Sequence, residues 1–587
     1  MGSFEIREDF CVNGEKIKII AGGMHYFRVV PEYWRDRLEK IKALGCNTVE
    51  TYVAWNMHEA KKGKFDFTGI RDIKRFLETA AELGLYAIVR PSPYICAEWE
   101  MGGIPAWLLA EEGMRLRSSY KPFLDAVDDY YKELFKILVP MQITKGGPII
   151  MFQIENEYGA YGEDTEYLKS IRDMMVKYGA EVPMFTSDGP WGDYLACGGI
   201  PGVLQTANFG SKGHEQFKIL RDRIGGNKPL MCTEFWVGWF DAWGDGKHNT
   251  GDTAEHVKDL DEILSEGSVS IYMAHGGTNF GFMNGSNYYD ELKPDVTSYD
   301  YDALISEDGE LTEKYHAFKK VIEKYVKIPE VKFTTEIKKK AYGPVALKSS
   351  MSLTEALPYI SEKHVSNSPE SMEKLGQDYG YILYRSELVK DGCIEKFRLM
   401  GANDRAKVYL DDKELLTLYD RELLKETRVG KVSEGTAVYG RELKILMENM
   451  GRVNYGYFME KQRKGIDGAV LINGHQHYKW EEYPLPLDNL DRIPFGSEKK
   501  LYGEPAFYSY TFEADECCDT FIDTTGFGKG CIIVNGFNIG RFWEIGPQKR
   551  LYVPGPLLKK GKNEIIIFET EGKAADTVEL LSEPGLE

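Results

Sequence analysis

The sequence predicts an α/β chain that becomes all-β: a (β/α)8 barrel followed by two β-sandwich, jelly-roll-like domains. Three observations carry this. Strand-like and helix-period segments alternate through the first 330 residues. Two of the strand-like runs end in glutamates, and a parallel barrel presents its reactive side chains at the C-terminal tips of its strands. After about Lys327 the texture changes to short strands punctuated by Gly, Asp and Asn turns. At 587 residues the chain exceeds one ordinary domain and suffices for two or three.

The elements follow in order. A strand over 17–22 opens the barrel. Residues 31–44 form a helix with Trp34, Leu38 and Ile41 on one face, ended by Gly45. A strand over 47–53 follows, then a helix marked by Ile70, Ile73, Leu77 and Ala80 and stopped by Gly84, then a strand over 85–89. Phe123, Val127, Tyr131, Leu134 and Leu138 mark the next helix, which leads into the strand 148–154. Further strands at 182–186, 202–205, 229–234 and 269–273 complete the eight of a barrel. A helix carrying Tyr315, Phe318 and Ile322 closes it. Beyond, 408–413 and 533–537 read as strand–turn–strand hairpins, which hints at two related β-modules. The division is 1–330, 331–490 and 491–587, the second boundary drawn from the Pro484/Pro486 stretch.

Composition narrows the partners. A net charge of −19 with dispersed lysines and arginines argues against nucleic acid, which demands a basic surface. No run approaches the length of a membrane span. The first ten residues have no apolar signal-peptide core, and the nine cysteines show no metal-ligand spacing, Cys517-Cys518 being the one close pair. Together these predict reduced thiols in a cytoplasmic protein. A homo-oligomer is compatible with everything in the chain. Aromatic residues make up 13% of it, which suits either a large β core or a carbohydrate cleft.

The chemistry sits at two strand ends. The apolar run 148–154 leads into Glu155-Asn156-Glu157, and the run 229–233 leads into Glu234-Phe235-Trp236. Cleaving a glycosidic bond takes a proton donor for the departing oxygen and a carboxylate facing the anomeric carbon, roughly 5–5.5 Å apart in retaining enzymes. In an extended strand Glu155 and Glu157 share one side and Asn156 takes the other, so local pattern leaves Glu155 and Glu157 equally open.

The chain resembles glycoside hydrolase family 35, the retaining β-galactosidases. The resemblance is carried by Gly23-Met24-His25-Tyr26-Phe27-Arg28, by Thr51 to Glu59, by Arg90 to Trp99 and by Gln153-Ile154-Glu155-Asn156-Glu157-Tyr158-Gly159. It continues through Thr233-Glu234-Phe235-Trp236, Gly276-Gly277-Thr278-Asn279-Phe280 and Thr297 to Asp302, then Gly451 to Gly456 and Gly536 to Trp543. It thus spans nearly the whole chain. Ala54 stands where the family often has proline.

The resemblance implies Glu157 as general acid/base and Glu234 as nucleophile. It implies Asn156 as partner of the sugar 2-hydroxyl, and Tyr52, Cys96, Ala97, Glu98, Tyr272 and Tyr301 as walls of a galactose pocket. It implies a galactose-terminated oligosaccharide as substrate and no cofactor or metal. His25, His58 and His275 follow predicted strands as metal ligands do, but no His-x-His or His-Glu-x-x-His pattern exists, and structural hydrogen bonding is the expectation. Trp236, Trp239 and Trp243 have the spacing of one face of a helical turn. Alternatively Trp236 and Trp239, with Tyr455 from a β-domain motif, clamp the leaving sugar and favour β-1,3 linkages. The competing readings are a barrel hydrolase for another β-sugar such as a glucosaminide, and a carbohydrate-binding protein whose catalytic site has decayed.

Overall fold

The structure is a computed structural model that describes residues 2–389, 392–456, 459–496 and 500–585. Eight parallel strands close into a barrel: Ile20–Met24, Thr48–Tyr52, Tyr86–Arg90, Ile149–Gln153, Met184–Asp188, Leu204–Phe209, Met231–Trp236 and Ser268–His275, the last pairing with the first. These strands are buried along almost their whole length, because helices cover the barrel outside and side chains fill it inside; hence their continuous apolar runs. The helix Trp34–Leu44 ends where predicted, with Gly45 at φ 112° closing it. The next begins at Ile73 rather than Ile70, because the Asp72 side chain caps it by accepting from the Arg75 N–H.

The first strand also differs from the reading at 17–22. Glu15–Ile17 turns back on Phe10–Val12 in a separate three-stranded sheet, and the barrel strand starts at Ile20. That small sheet packs Phe4, Phe10 and Val12 into the barrel core.

The β region holds two packed bodies. A six-stranded sheet containing Tyr381–Glu387, Arg405–Leu410 and Glu442–Glu448 faces a four-stranded one containing Lys396–Asn403 and Gly465–Ile472. Between them lie Ile382, Tyr384, Phe397, Leu399, Ile445 and Trp480. The second body is an eight-stranded antiparallel sheet built mostly from residues after 505. Its strand Gly343–Ser352, however, comes from just behind the barrel and joins Ala506–Ala514 to Thr577–Leu581. Sheet membership therefore crosses the 331–490 segment. In Gly561–Glu569 alternate residues serve two cores: Ile565 and Ile567 face inward, while Ile566 and Phe568 pack against Tyr381, Leu383 and Leu446 of the other body. Both predicted hairpins form, turning at Asp411-Asp412 (φ 47° and 66°) and Asn535-Gly536 (φ 50° and 85°), the left-handed pairs of two-residue turns.

One strand of the β region belongs to the barrel mouth. Val453–Gly456 adds in parallel to Ser286–Tyr288, part of a hairpin in the loop after the eighth barrel strand. Fully buried Arg452 pins this junction, pairing with Glu100 of the barrel and Glu373 of the sandwich.

Candidate active site

The fourth barrel strand ends at Gln153, and the chain then leaves extended geometry: φ is 54° at Glu155 and 46° at Glu157. Such left-handed residues cost roughly 1–3 kcal/mol each, and surrounding contacts must hold them. The Glu157 N–H donates to the Ser187 carbonyl of the fifth strand at 3.1 Å. Two residues on, a Cβ on Gly159 would fall 1.9 Å from the Tyr194 carbonyl oxygen, so only glycine lets the two loops interlock.

These turns send the two glutamates into different surroundings, against the shared side that an extended strand predicts. Glu155 is fully buried away from the cavity. It accepts from Arg117 Nε and Nη2 at 3.0 and 2.9 Å, from the Tyr167 hydroxyl at 2.8 Å and from the Asn156 N–H at 2.6 Å. Glu157 lines the cavity and accepts from Asn208 Nδ2 at 3.0 Å. Burial, reinforced by the charge of Glu234, pushes its carboxyl up to about 8.

Glu234, near the end of the seventh strand, faces three donors. Its Oε1 lies 2.5 Å from the Tyr52 hydroxyl and 2.7 Å from Arg90 Nη1, and its Oε2 accepts from Trp236 Nε1 at 3.1 Å. Arg90 is fully buried and also reaches Glu50 at 2.8 Å and Asn156 Oδ1 at 2.7 Å. Asn156 Oδ1 receives Gln153 Nε2 at 3.1 Å as well, so the amide oxygen is occupied and its Nδ2 is oriented toward the cavity side, reaching the Ile95 carbonyl only at 3.5 Å.

Around these groups is a cleft of about 760 Å³ of empty space counting its open mouth. Tyr52, Cys96, Ala97, Glu98, Asn156, Tyr272 and Tyr301 line it, as do Trp236, Trp239 and Tyr455. Cys96, Ala97 and Glu98 are three consecutive left-handed residues, φ 57°, 57° and 47°. Arg28 holds the turn by donating to the Ala97 carbonyl, and the Gly285 N–H donates to that of Glu98 at 2.9 Å. Burial lifts Glu98 to about 7 against the opposing pull of the Tyr299 hydroxyl, 2.5 Å away, and of Arg28. Trp243 departs from the other two tryptophans: no helix forms over 236–243, and Trp243 is buried and does not line the cleft.

The three histidines bond to protein. His25 meets Arg28, His58 lies 2.5 Å from the Tyr26 hydroxyl and 2.9 Å from the Asp66 carbonyl, and His275 lies 3.2 Å from that of Ile305. Burial, then the Arg28 charge, holds His25 well below its usual range. Among the described residues no group of three or more His, Cys, Asp or Glu side chains is arranged to hold a metal ion. Sequence reasoning missed Arg90, Asn208, Trp191, Tyr194 and Tyr289. Arg90 had a signal, a lone arginine at the tip of an apolar strand; Asn208 lies in the strand Leu204–Phe209, beyond the 202–205 reading, Tyr194 opens the short helix Tyr194–Cys197, and Trp191 and Tyr289 sit in loops with no periodic pattern.

The family model described as Glycosyl hydrolases family 35 matches residues 9–325. Models described as the first all-beta domain and the galactose-binding domain of beta-galactosidase match 369–486 and 505–563. Human beta-galactosidase-1-like protein 2 is 40% identical over 98% of this chain and 91% of its own. A beta-galactosidase of Xanthomonas manihotis is 39% identical over 93% of this chain and 90% of its own. Beta-galactosidase 1 of Dictyostelium discoideum is 37% identical over 94% and 88%. With a closed barrel carrying Glu157 and Glu234 on its cavity and these matches along nearly its whole length, the chain belongs to glycoside hydrolase family 35.

Proposed function

We propose that the protein is a retaining exo-β-galactosidase that releases terminal β-D-galactose from oligosaccharides by double displacement. The observation that carries this is the contrast between the two cavity carboxyls. Three donors, one of them a guanidinium, converge on Glu234, an arrangement suited to an anion. Glu157 is part-buried beside that charge and retains its proton near neutrality.

Glu234 attacks the anomeric carbon as the bond to the glycosidic oxygen breaks, and that oxygen takes its electron pair and the Glu157 proton. The ester formed on Glu234 removes the charge that held Glu157 protonated. Glu157 then takes a proton from water as the water attacks the same carbon and frees Glu234. Asn156, its oxygen occupied, turns an amide N–H to the sugar 2-hydroxyl. Glu98 and the neighbouring tyrosines supply partners for the remaining hydroxyls.

A 2-deoxy-2-fluoro β-galactoside is expected to esterify Glu234, and Glu234→Gln to abolish turnover; label on Glu155, or on no residue of an active preparation, overturns the assignment. A panel of chromogenic glycosides separates galactose from glucosaminide specificity. Trp239 and Tyr455, on the cleft wall, support a preference for β-1,3 linkages. If Trp239→Ala and Tyr455→Ala leave the β-1,3 to β-1,4 ratio of kcat/KM unchanged, that preference has another origin.

A further inference from the structure

Trp191 belongs to none of the motifs named above, yet it stands at the cleft mouth. The loop after the fifth strand reads Gly189-Pro190-Trp191-Gly192. The indole folds back over its own loop: a Cβ on Gly189 would meet Trp191 Cζ2 at 2.3 Å and Cε2 at 2.4 Å. Gly189 has no left-handed φ, so its backbone is open to any residue. Glycine is required there to seat the ring.

The ring is braced but not covered. Its centroid lies 6.1 Å from that of Trp236 and 6.4 Å from that of Tyr194, while Trp191 remains 43% exposed. Trp236 is itself tethered by its N–H to Glu234. An indole held in one orientation with a bare face inside a cleft is suited to stacking on a flat ligand surface. Its position says which part of the ligand. The proton of Glu157 goes to the departing oxygen, so the departing group lies on the Glu157 flank. Trp191 neighbours Tyr194, whose carbonyl packs on Gly159, two residues from Glu157, and all but Gly159 line the cleft together with Ala160.

We propose that Trp191 is the platform for the group to which galactose is attached, a pyranose face or an aromatic aglycone. Gly189 is then a positioning residue that acts through it. This rests on the galactosidase reading and adds to it a specificity-determining residue. The test compares kcat/KM for a galactosyl disaccharide with that for β-galactosyl fluoride, whose leaving group is too small to reach the ring. Trp191→Ala is expected to lower the disaccharide-to-fluoride ratio roughly two- to tenfold, the range of one aromatic stacking contact. Gly189→Ala should lower it by a similar factor, the double variant no further, and Trp191→Phe should retain most of it. An unchanged ratio in Trp191→Ala, or a parallel fall on both substrates, overturns the platform. A lowered ratio in Trp191→Ala with none in Gly189→Ala overturns the role of the seat. Wild-type protein that leaves β-galactosyl fluoride intact overturns the galactosidase reading itself.

Discussion

Glu155 and Glu157 stand two residues apart on the same turn, both left-handed, the first fully buried and the second part-buried at the cleft wall. Glu155 is held by four donors, and its partner Arg117 is stacked on Tyr94 and Tyr161 at 3.6 and 4.2 Å from their ring centres. Glu157 has Asn208 as its one side-chain donor and an open cavity before it. The first is anchored by an arginine; burial and the Glu234 charge keep the second protonated. The same side chain meets two environments, one rich in donors and one set by burial and the neighbouring charge of Glu234.

That contrast can be broken from either side. The largest effect is expected for Glu157→Gln: a loss of about 10²–10⁴ in kcat/KM for substrates with poor leaving groups, with the circular dichroism spectrum unchanged. Glu155→Gln should do the reverse, leaving Arg117 without its counter-ion at a cost of about 3–5 kcal/mol in stability. Thermal unfolding measures it, and a double change of Glu155 and Arg117 to methionine should recover part of the loss. Equal damage to folding from both single variants would erase the distinction.

The pH dependence sharpens it further. In the proposed mechanism the protonated form of Glu157 is the donor, and burial with the Glu234 charge sets it at about 8, so kcat/KM should fall on the alkaline side with a midpoint near there. The Asn208 hydrogen bond favours the charged form, so Asn208→Ala should move that midpoint upward. Linkage gives the smallest signal. The folded protein keeps a proton that the unfolded chain releases above its ordinary carboxylate range of about 4.3. Stability from this group therefore falls as pH rises from there to about 8. Glu157→Gln should raise the melting temperature by an amount that grows over that window and then stays constant.

Much of this was legible in the chain, for physical reasons. Barrel strands buried on both faces are rich in apolar and β-branched residues, so all eight stood out, and helix ends declared themselves at Gly45 and Gly84. The choice between Glu155 and Glu157 did not, because period-two alternation holds only in extended backbone and both residues have left it. The motifs that resemble family 35 pointed to Glu157 where the local pattern fell silent. Trp191 escaped because an exposed loop aromatic has no periodicity; its mark is the preceding glycine, meaningful only once the ring is seen lying over it. Gly343–Ser352 escaped because pairing with strands more than 150 residues away leaves no local trace.

Parallel addition of Val453–Gly456 to the barrel's last loop has a consequence for the size of the working unit. One lip of the mouth is made by polypeptide that lies over a hundred residues beyond the barrel and is fastened there by strand pairing, by hydrogen bonds from Tyr94, Asn284 and Ser286, and by a guanidinium shared between two carboxylates. Excision at residue 330 would thus remove part of the catalytic vessel itself, and drift in how the appended sheets dock would be felt as a change of diet.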